Sequence, residues 1–132
     1  MSTVKGSCHC KAVKWEFTLP IKTVVKCHCQ NCRKLQGSDY SSWVIVPQEQ
    51  LEITSGKEYL SKYEASELSS KTFCSLCGSS TYLMNGKHFP DHFVIPLGAI
   101  DNYSEVLAPQ IQVYTADKAA WVSLHDDEPV LN

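Results

Sequence analysis

The chain has 132 residues, 43% of them hydrophobic and 20% charged, with a net charge of -2. These are the proportions of a single globular domain, and they exclude a basic footprint for nucleic acid or an anionic membrane surface. No stretch approaches the roughly 18 apolar residues of a membrane helix, and residues 1–5 lack the apolar core of a secretion signal, so the expected compartment is the cytoplasm.

The predicted elements are mostly strands. Val13, Trp15 and Phe17 alternate with Lys14 and Glu16, which gives a strand with one apolar face. Thr23–Cys27 is a short β-branched run. Residues 31–36 suit a short helix capped by Gly37. Residues 40–46 form a strand stopped by Pro47. Residues 51–54 and 59–63 flank Ser55-Gly56-Lys57-Glu58 and read as a hairpin. Residues 70–73 and 81–84 flank the turn at 74–78. Residues 92–95 and 111–114 are later strands, and residues 117–121 read as a short helix with Asp117 as N-cap. The acidic run Asp126-Asp127-Glu128 reads as a solvated tail. The pattern predicts a small, mainly β domain wrapped around metal.

Seven cysteines are many for this length, and an odd count would leave one over in a disulfide framework. In a reducing compartment, clustered cysteines more often mean metal. They form three clusters: Cys8-His9-Cys10, Cys27-His28-Cys29-Gln30-Asn31-Cys32 and Cys74-Ser75-Leu76-Cys77-Gly78. In an extended chain residues i and i+2 share a face, so Cys8 with Cys10, and Cys27 with Cys29, are each placed to reach one ion. Cys74-x-x-Cys77-Gly78 has the form of a zinc knuckle, with Gly78 free to take the positive φ of a tight turn. A closed structural zinc site keeps four protein ligands, and a catalytic one leaves a position open. The compact triplet Cys27, Cys29 and Cys32 is the natural open site, which leaves Cys8, Cys10, Cys74 and Cys77 for a closed one. Spacing alone also allows other partitions, such as Cys8, Cys10, Cys27 and Cys29 on one ion.

The ordered clusters resemble a known family. Gly6-x-Cys8-x-Cys10, then Cys27-x-Cys29-x-x-Cys32-Arg33-Lys34 with Gly37-Ser38, then Phe73-Cys74-x-x-Cys77-Gly78 are similar to the motifs of the glutathione-dependent formaldehyde-activating enzymes, a family that includes centromere protein V. Residues 116–121, ending in Trp121, look like its C-terminal element. The resemblance spans residues 4–129 as a single domain. It implies a zinc-stapled Mss4-like, or β-tent, fold. It also implies two zinc ions: a structural one at Cys8, Cys10, Cys74 and Cys77, and a catalytic one at Cys27, Cys29 and Cys32. The implied activity is that of a carbon–sulfur lyase run in reverse, joining formaldehyde to glutathione as S-hydroxymethylglutathione. The expected partners are therefore a small thiol and a small aldehyde, with neither nucleic acid nor membrane.

An ion on three thiolates is electron-rich, so it activates water poorly and suits a thiol in the vacant position. Arg33, the lone arginine, stands beside Cys32 and is placed either to meet a substrate carboxylate or to make a structural ion pair. His28 lies between two ligands and is expected to face away from them. His92 and His125 are unclustered, and Trp43 and Trp121 are expected in the core. A zinc-stapled binding module and a zinc hydrolase are the competing function classes.

Overall fold

A computed structural model describes residues 3–102, 108–124 and 129–131. Alternating apolar residues build its main core. In β1 (Thr3–Ser7) and β2 (Lys14–Thr18), Val4, Trp15 and Phe17 are buried while their neighbours are not. These strands pair antiparallel, and β2 also pairs with β5 (Leu51–Ser55), giving a three-stranded sheet ordered β1-β2-β5. Gly6 sits opposite Trp15 in this ladder, and a Cβ there would run into the indole ring.

The second sheet has eight strands. Its members are β3 (Thr23–Cys27), β4 (Ser41–Pro47), β6 (Leu60–Glu64), β7 (Ser69–Cys74), β8 (Ser80–Asn85), β9 (His92–Pro96), β10 (Ile111–Val113) and β11 (Val130–Leu131). Their order is β11-β10-β3-β4-β9-β8-β7-β6. The central strand β4 is buried on both faces. Val44 and Val46, with Val24 and Ile95, pack against the small sheet. Trp43 and Ile45, with Val25, Leu83 and Val94, form a second cluster on which Leu35 of helix α1 (Gln30–Gln36) rests. Gly37 ends α1 in the left-handed region at φ 68.

Three local expectations need correction. The segments at 51–54 and 59–63 do not form a hairpin: β5 pairs with β2, and β6 pairs with β7. Gly56, at φ 76, and the 3₁₀ turn Lys57–Tyr59 carry the chain from the small sheet into the large one. The helix expected at 117–121 is a 3₁₀ turn over Thr115–Asp117, with Asp117 at its end and Lys118 already extended. Cys8 and Cys10 are not on an extended strand: Lys11 N–H donates to the Cys8 carbonyl at 3.0 Å, and Lys11 lies at φ 67, so the pair sits on a tight turn. Among the described residues, no helix is long and apolar enough to cross a membrane.

Candidate metal centre

The first centre joins two turns that are far apart in the sequence. The Cys8–Lys11 turn follows β1, and the Cys74–Gly78 turn links β7 to β8. Gly78 N–H donates to the Cys74 carbonyl at 2.7 Å, and Gly78 takes the expected positive φ of 81. His9 N–H donates to the Ser79 hydroxyl at 3.0 Å, which clips one turn to the other. The Cys8 and Cys10 sulfurs are 3.6 Å apart, those of Cys10 and Cys74 are 3.9 Å apart, and all four, Cys77 included, lie within 4.8 Å of one another. A tetrahedral ion about 2.3 Å from each thiolate sets sulfurs roughly 3.8 Å apart, so this donor set fits zinc. The Ser79 hydroxyl 3.2 Å from Cys77, then the Ser79 backbone N–H, hold the Cys77 thiol down at about 5.

The second centre is local. Cys27 ends β3, opposite Ser41 of β4. Cys29 caps α1, its sulfur accepting the Cys32 N–H at 3.3 Å. Cys32 lies one helical turn on, and its sulfur is 3.3 Å from that of Cys27. Cys27, Cys29 and Cys32 all place their sulfurs within 4.8 Å of one another, and among the described residues no further cysteine, histidine or carboxylate joins them. The Cys32 thiol, followed by hydrogen bonds from Cys29, holds Cys27 at about 6, against the opposing push of burial and of Asp117. Cys32 is pushed up, first by Cys27 and then by burial, and burial raises Cys29. The triplet therefore carries one thiolate readily and resists forming three without a cation. This donor set also suits zinc, with one position left over.

His28 faces away from the sulfurs. It is fully buried, its Nε2 pairs with the Gln112 side-chain oxygen at 2.8 Å, and its backbone N–H donates to the Val113 carbonyl at 3.1 Å. Among the described residues Arg33 makes no carboxylate pair; its guanidinium donates to the Asp117 backbone carbonyl at 3.0 Å. Trp43 is in the core as expected. Trp121 is not: it is 71% exposed, and its Nε1 donates to Asp39 at 3.0 Å. His92 bonds the Pro90 carbonyl at 2.8 Å, away from either centre. His125 and the acidic run lie outside the described residues.

Two supporting features had little signal in the sequence. Ser79 touches both halves of the four-sulfur centre, and only its place directly after Cys77-Gly78 hinted at that. Gln112 is an isolated polar residue in a strand, and nothing local marks it as the partner of His28. The fold also forms a groove of about 790 Å³ beside α1, lined by Gln30, Asn31, Lys34, Leu35, Tyr63 and Lys71 among others, with no acidic residue among the described residues of its wall.

Residues 3–117 match the family model described as glutathione-dependent formaldehyde-activating enzyme. A Halomonas elongata protein named as a putative glutathione-dependent formaldehyde-activating enzyme is 26% identical over 95% of this chain and 83% of its own length. An uncharacterized lyase of Schizosaccharomyces pombe is 29% identical over 67% of this chain, and the match spans 64% of that protein. A crystal structure of a Rhodobacter sphaeroides protein shares the fold at a TM-score of 0.63, with 23% identity over 80% of this chain and 97% of that one. The mainly β fold expected from the sequence is the fold observed.

Proposed function

The chain belongs to the glutathione-dependent formaldehyde-activating enzyme family, and on that premise we propose that it is a zinc-dependent carbon–sulfur lyase-type enzyme acting on a thiol–aldehyde adduct such as S-hydroxymethylglutathione. The observation that carries the reading is the incomplete sulfur cluster: Cys27, Cys29 and Cys32 converge with no fourth protein donor among the described residues. Cys8, Cys10, Cys74 and Cys77 would hold a second zinc that is structural. Zinc at the triplet would supply a Lewis acid that strips the proton from a bound thiol, whose free pKa of about 8.5 leaves only about 3% ionised at pH 7.

The chain's own residues supply the rest. Trp43 and Leu83 share a buried apolar cluster with Cys27, against which Cys29 and Cys32 pack, so the triplet backs onto apolar side chains. The groove beside α1 is walled partly by Gln30 and Asn31, the residues between Cys29 and Cys32. Its lysines, Lys34 and Lys71, suit the carboxylates of a glutathione-like tail. Arg33, within the same helix, donates to the Asp117 carbonyl, and its guanidinium carries further N–H groups that suit a substrate carboxylate. A reducing compartment such as the cytoplasm would keep the sulfurs available.

Exchange NMR on a mixture of glutathione and formaldehyde tests the proposal. The protein should speed interconversion of adduct and free thiol above the protein-free rate, and Cys29→Ser should abolish that gain while keeping the fold. Full activity in Cys29→Ser refutes the mechanism. One zinc per chain, with no effect on exchange, favours a zinc-stapled binding module instead.

A further inference from the structure

A pair of side chains that the thiol chemistry above does not use links the strand beside Cys27 to the connection between β8 and β9. Tyr114 follows Val113, the residue paired with Cys27 in the parallel β3–β10 ladder. Adjacent strands are roughly 4.8 Å apart, so Tyr114 starts one residue beyond a position flanking a triplet sulfur. Its backbone is left-handed, at φ 56 and ψ 40. A bulky aromatic side chain in that region is an outlier, and glycine or asparagine would make the same turn at lower cost.

The strained backbone aims the phenol at a histidine. The Tyr114 hydroxyl lies 3.1 Å from His88 Nε2, with the rings edge-on at 6.3 Å. His88 is itself held in place: the Asn85 side-chain oxygen accepts the N–H groups of Lys87 and His88, both at 3.2 Å, and Phe89 N–H donates to the Asn85 carbonyl at 2.8 Å. The next residue, Phe89, packs on the buried cluster to which Cys27 belongs, as do Val113, Cys29 and Cys32. Two segments from different parts of the sheet thus pack on the cluster to which Cys27 belongs and are joined at the solvent side by one hydrogen bond between two proton carriers.

We propose that Tyr114 is the proton donor to the aldehyde oxygen and that His88 is the group that reprotonates it. The inference rests on the thiol–aldehyde reading of the triplet. With Nε2–H of His88 donating to the phenol oxygen, the phenolic hydrogen is free to point at substrate. As the carbon–sulfur bond forms, the carbonyl π pair moves onto oxygen, which takes the Tyr114 proton. His88 passes its Nε2 proton to the phenolate while its Nδ1 takes a proton from solvent, so the ring stays neutral throughout. The proton lost by the thiol enters solvent and replaces that one, so the net change is a hydrogen moved from sulfur to oxygen. The reverse sequence splits the adduct.

The test compares wild type with Tyr114→Phe and His88→Gln in the glutathione–formaldehyde exchange assay. Tyr114→Phe keeps the ring, and His88→Gln keeps an acceptor and a donor but carries no mobile proton. The expected result is a loss of kcat of about 100-fold in Tyr114→Phe and at least tenfold in His88→Gln, in line with general acid–base contributions, with the KM for glutathione and the metal content unchanged. The ¹⁵N shift of His88 Nε2 should move in Tyr114→Phe, reporting the lost hydrogen bond without any turnover. If Tyr114→Phe keeps its kcat within twofold, or if it loses metal or raises the glutathione KM instead, the pair is structural and the proposal is overturned. A wild type that does not speed exchange at all refutes the thiol–aldehyde reading itself, and this proposal falls with it.

Discussion

Substituting Cys10 by serine separates the work of a metal crosslink from that of packing. Cys10 is exposed, unlike its buried companions Cys8 and Cys74. Removing its sulfur therefore disturbs almost no packing, and an exposed substitution of this kind costs within about 0.5 kcal/mol by itself. An ion shared by Cys10 and Cys74 would close a loop with 63 intervening residues. The chain-entropy relation for a crosslink of that span gives about 4 kcal/mol, the upper bound on the loss, because Cys8 on the same turn still offers the ion a sulfur. For a domain of this size that bound corresponds to a fall in Tm of roughly 10–25 °C. Thermal and urea unfolding of zinc-loaded wild type and Cys10→Ser, each repeated with a chelator, would measure it. The chelator should erase the difference, because the metal is its only source. If loaded wild type melts within a few degrees of chelated wild type, the four-sulfur centre is not what ties the N-terminal turn to β7. If the two differ equally with chelator present, the loss is one of packing and the crosslink argument fails.

Gly6→Ala should destabilise the chain by about 1–3 kcal/mol, the range for overpacking, because the added Cβ meets the Trp15 ring across the ladder; an unchanged urea midpoint would refute it. Zinc loading of the apo chain at pH 7 should release fewer than seven protons, one for each sulfur. Cys77 and Cys27 are lowered to about 5 and about 6 and are already thiolates at that pH, so they have no proton to give up. Calorimetry in two buffers of different ionisation enthalpy counts the protons, and the number should rise toward seven as the pH is dropped below 5.

Much of the β content was legible because alternation records burial directly: Trp15 and Phe17 read as one face and are buried together. The β1 strand was not, since Thr3-Val4-Lys5-Gly6-Ser7 shows one apolar residue and a glycine whose place against Trp15 only the fold reveals. The false hairpin at 51–63 has a related cause. Two strands around a glycine look alike whether they pair with each other or leave for different sheets, and the partners of β5 and β6 lie far away in sequence. For the cysteines, the knuckle at Cys74 was readable because its turn is local. The face argument for Cys8 and Cys10 failed because Lys11 turns the backbone left-handed. Which sulfurs meet across the fold depends on how β1 is carried past β7, and no spacing rule contains that. Trp121 misled because an aromatic residue reads as core, whereas its indole nitrogen reaches Asp39 at the surface.

The two centres differ in topology, and that difference bears on function independently of any family likeness. The four-sulfur centre joins distant segments, so a metal there stabilises the fold whatever else it does. The triplet is drawn from six consecutive residues, Cys27 to Cys32, and a crosslink over so short a span closes little loop and contributes little to stability. Yet the fold commits long-range contacts to shaping it. The His28 ring is buried against Gln112, 84 positions away, and the His28 N–H is held by Val113. These contacts pin the segment between two of the sulfurs while the sulfurs themselves face the other way. Burying a histidine whose Nδ1 has no partner among the described residues carries a desolvation cost. A triplet that adds little to folding and is nonetheless held by distant residues supports the proposal that its geometry serves binding at the position its three sulfurs leave open.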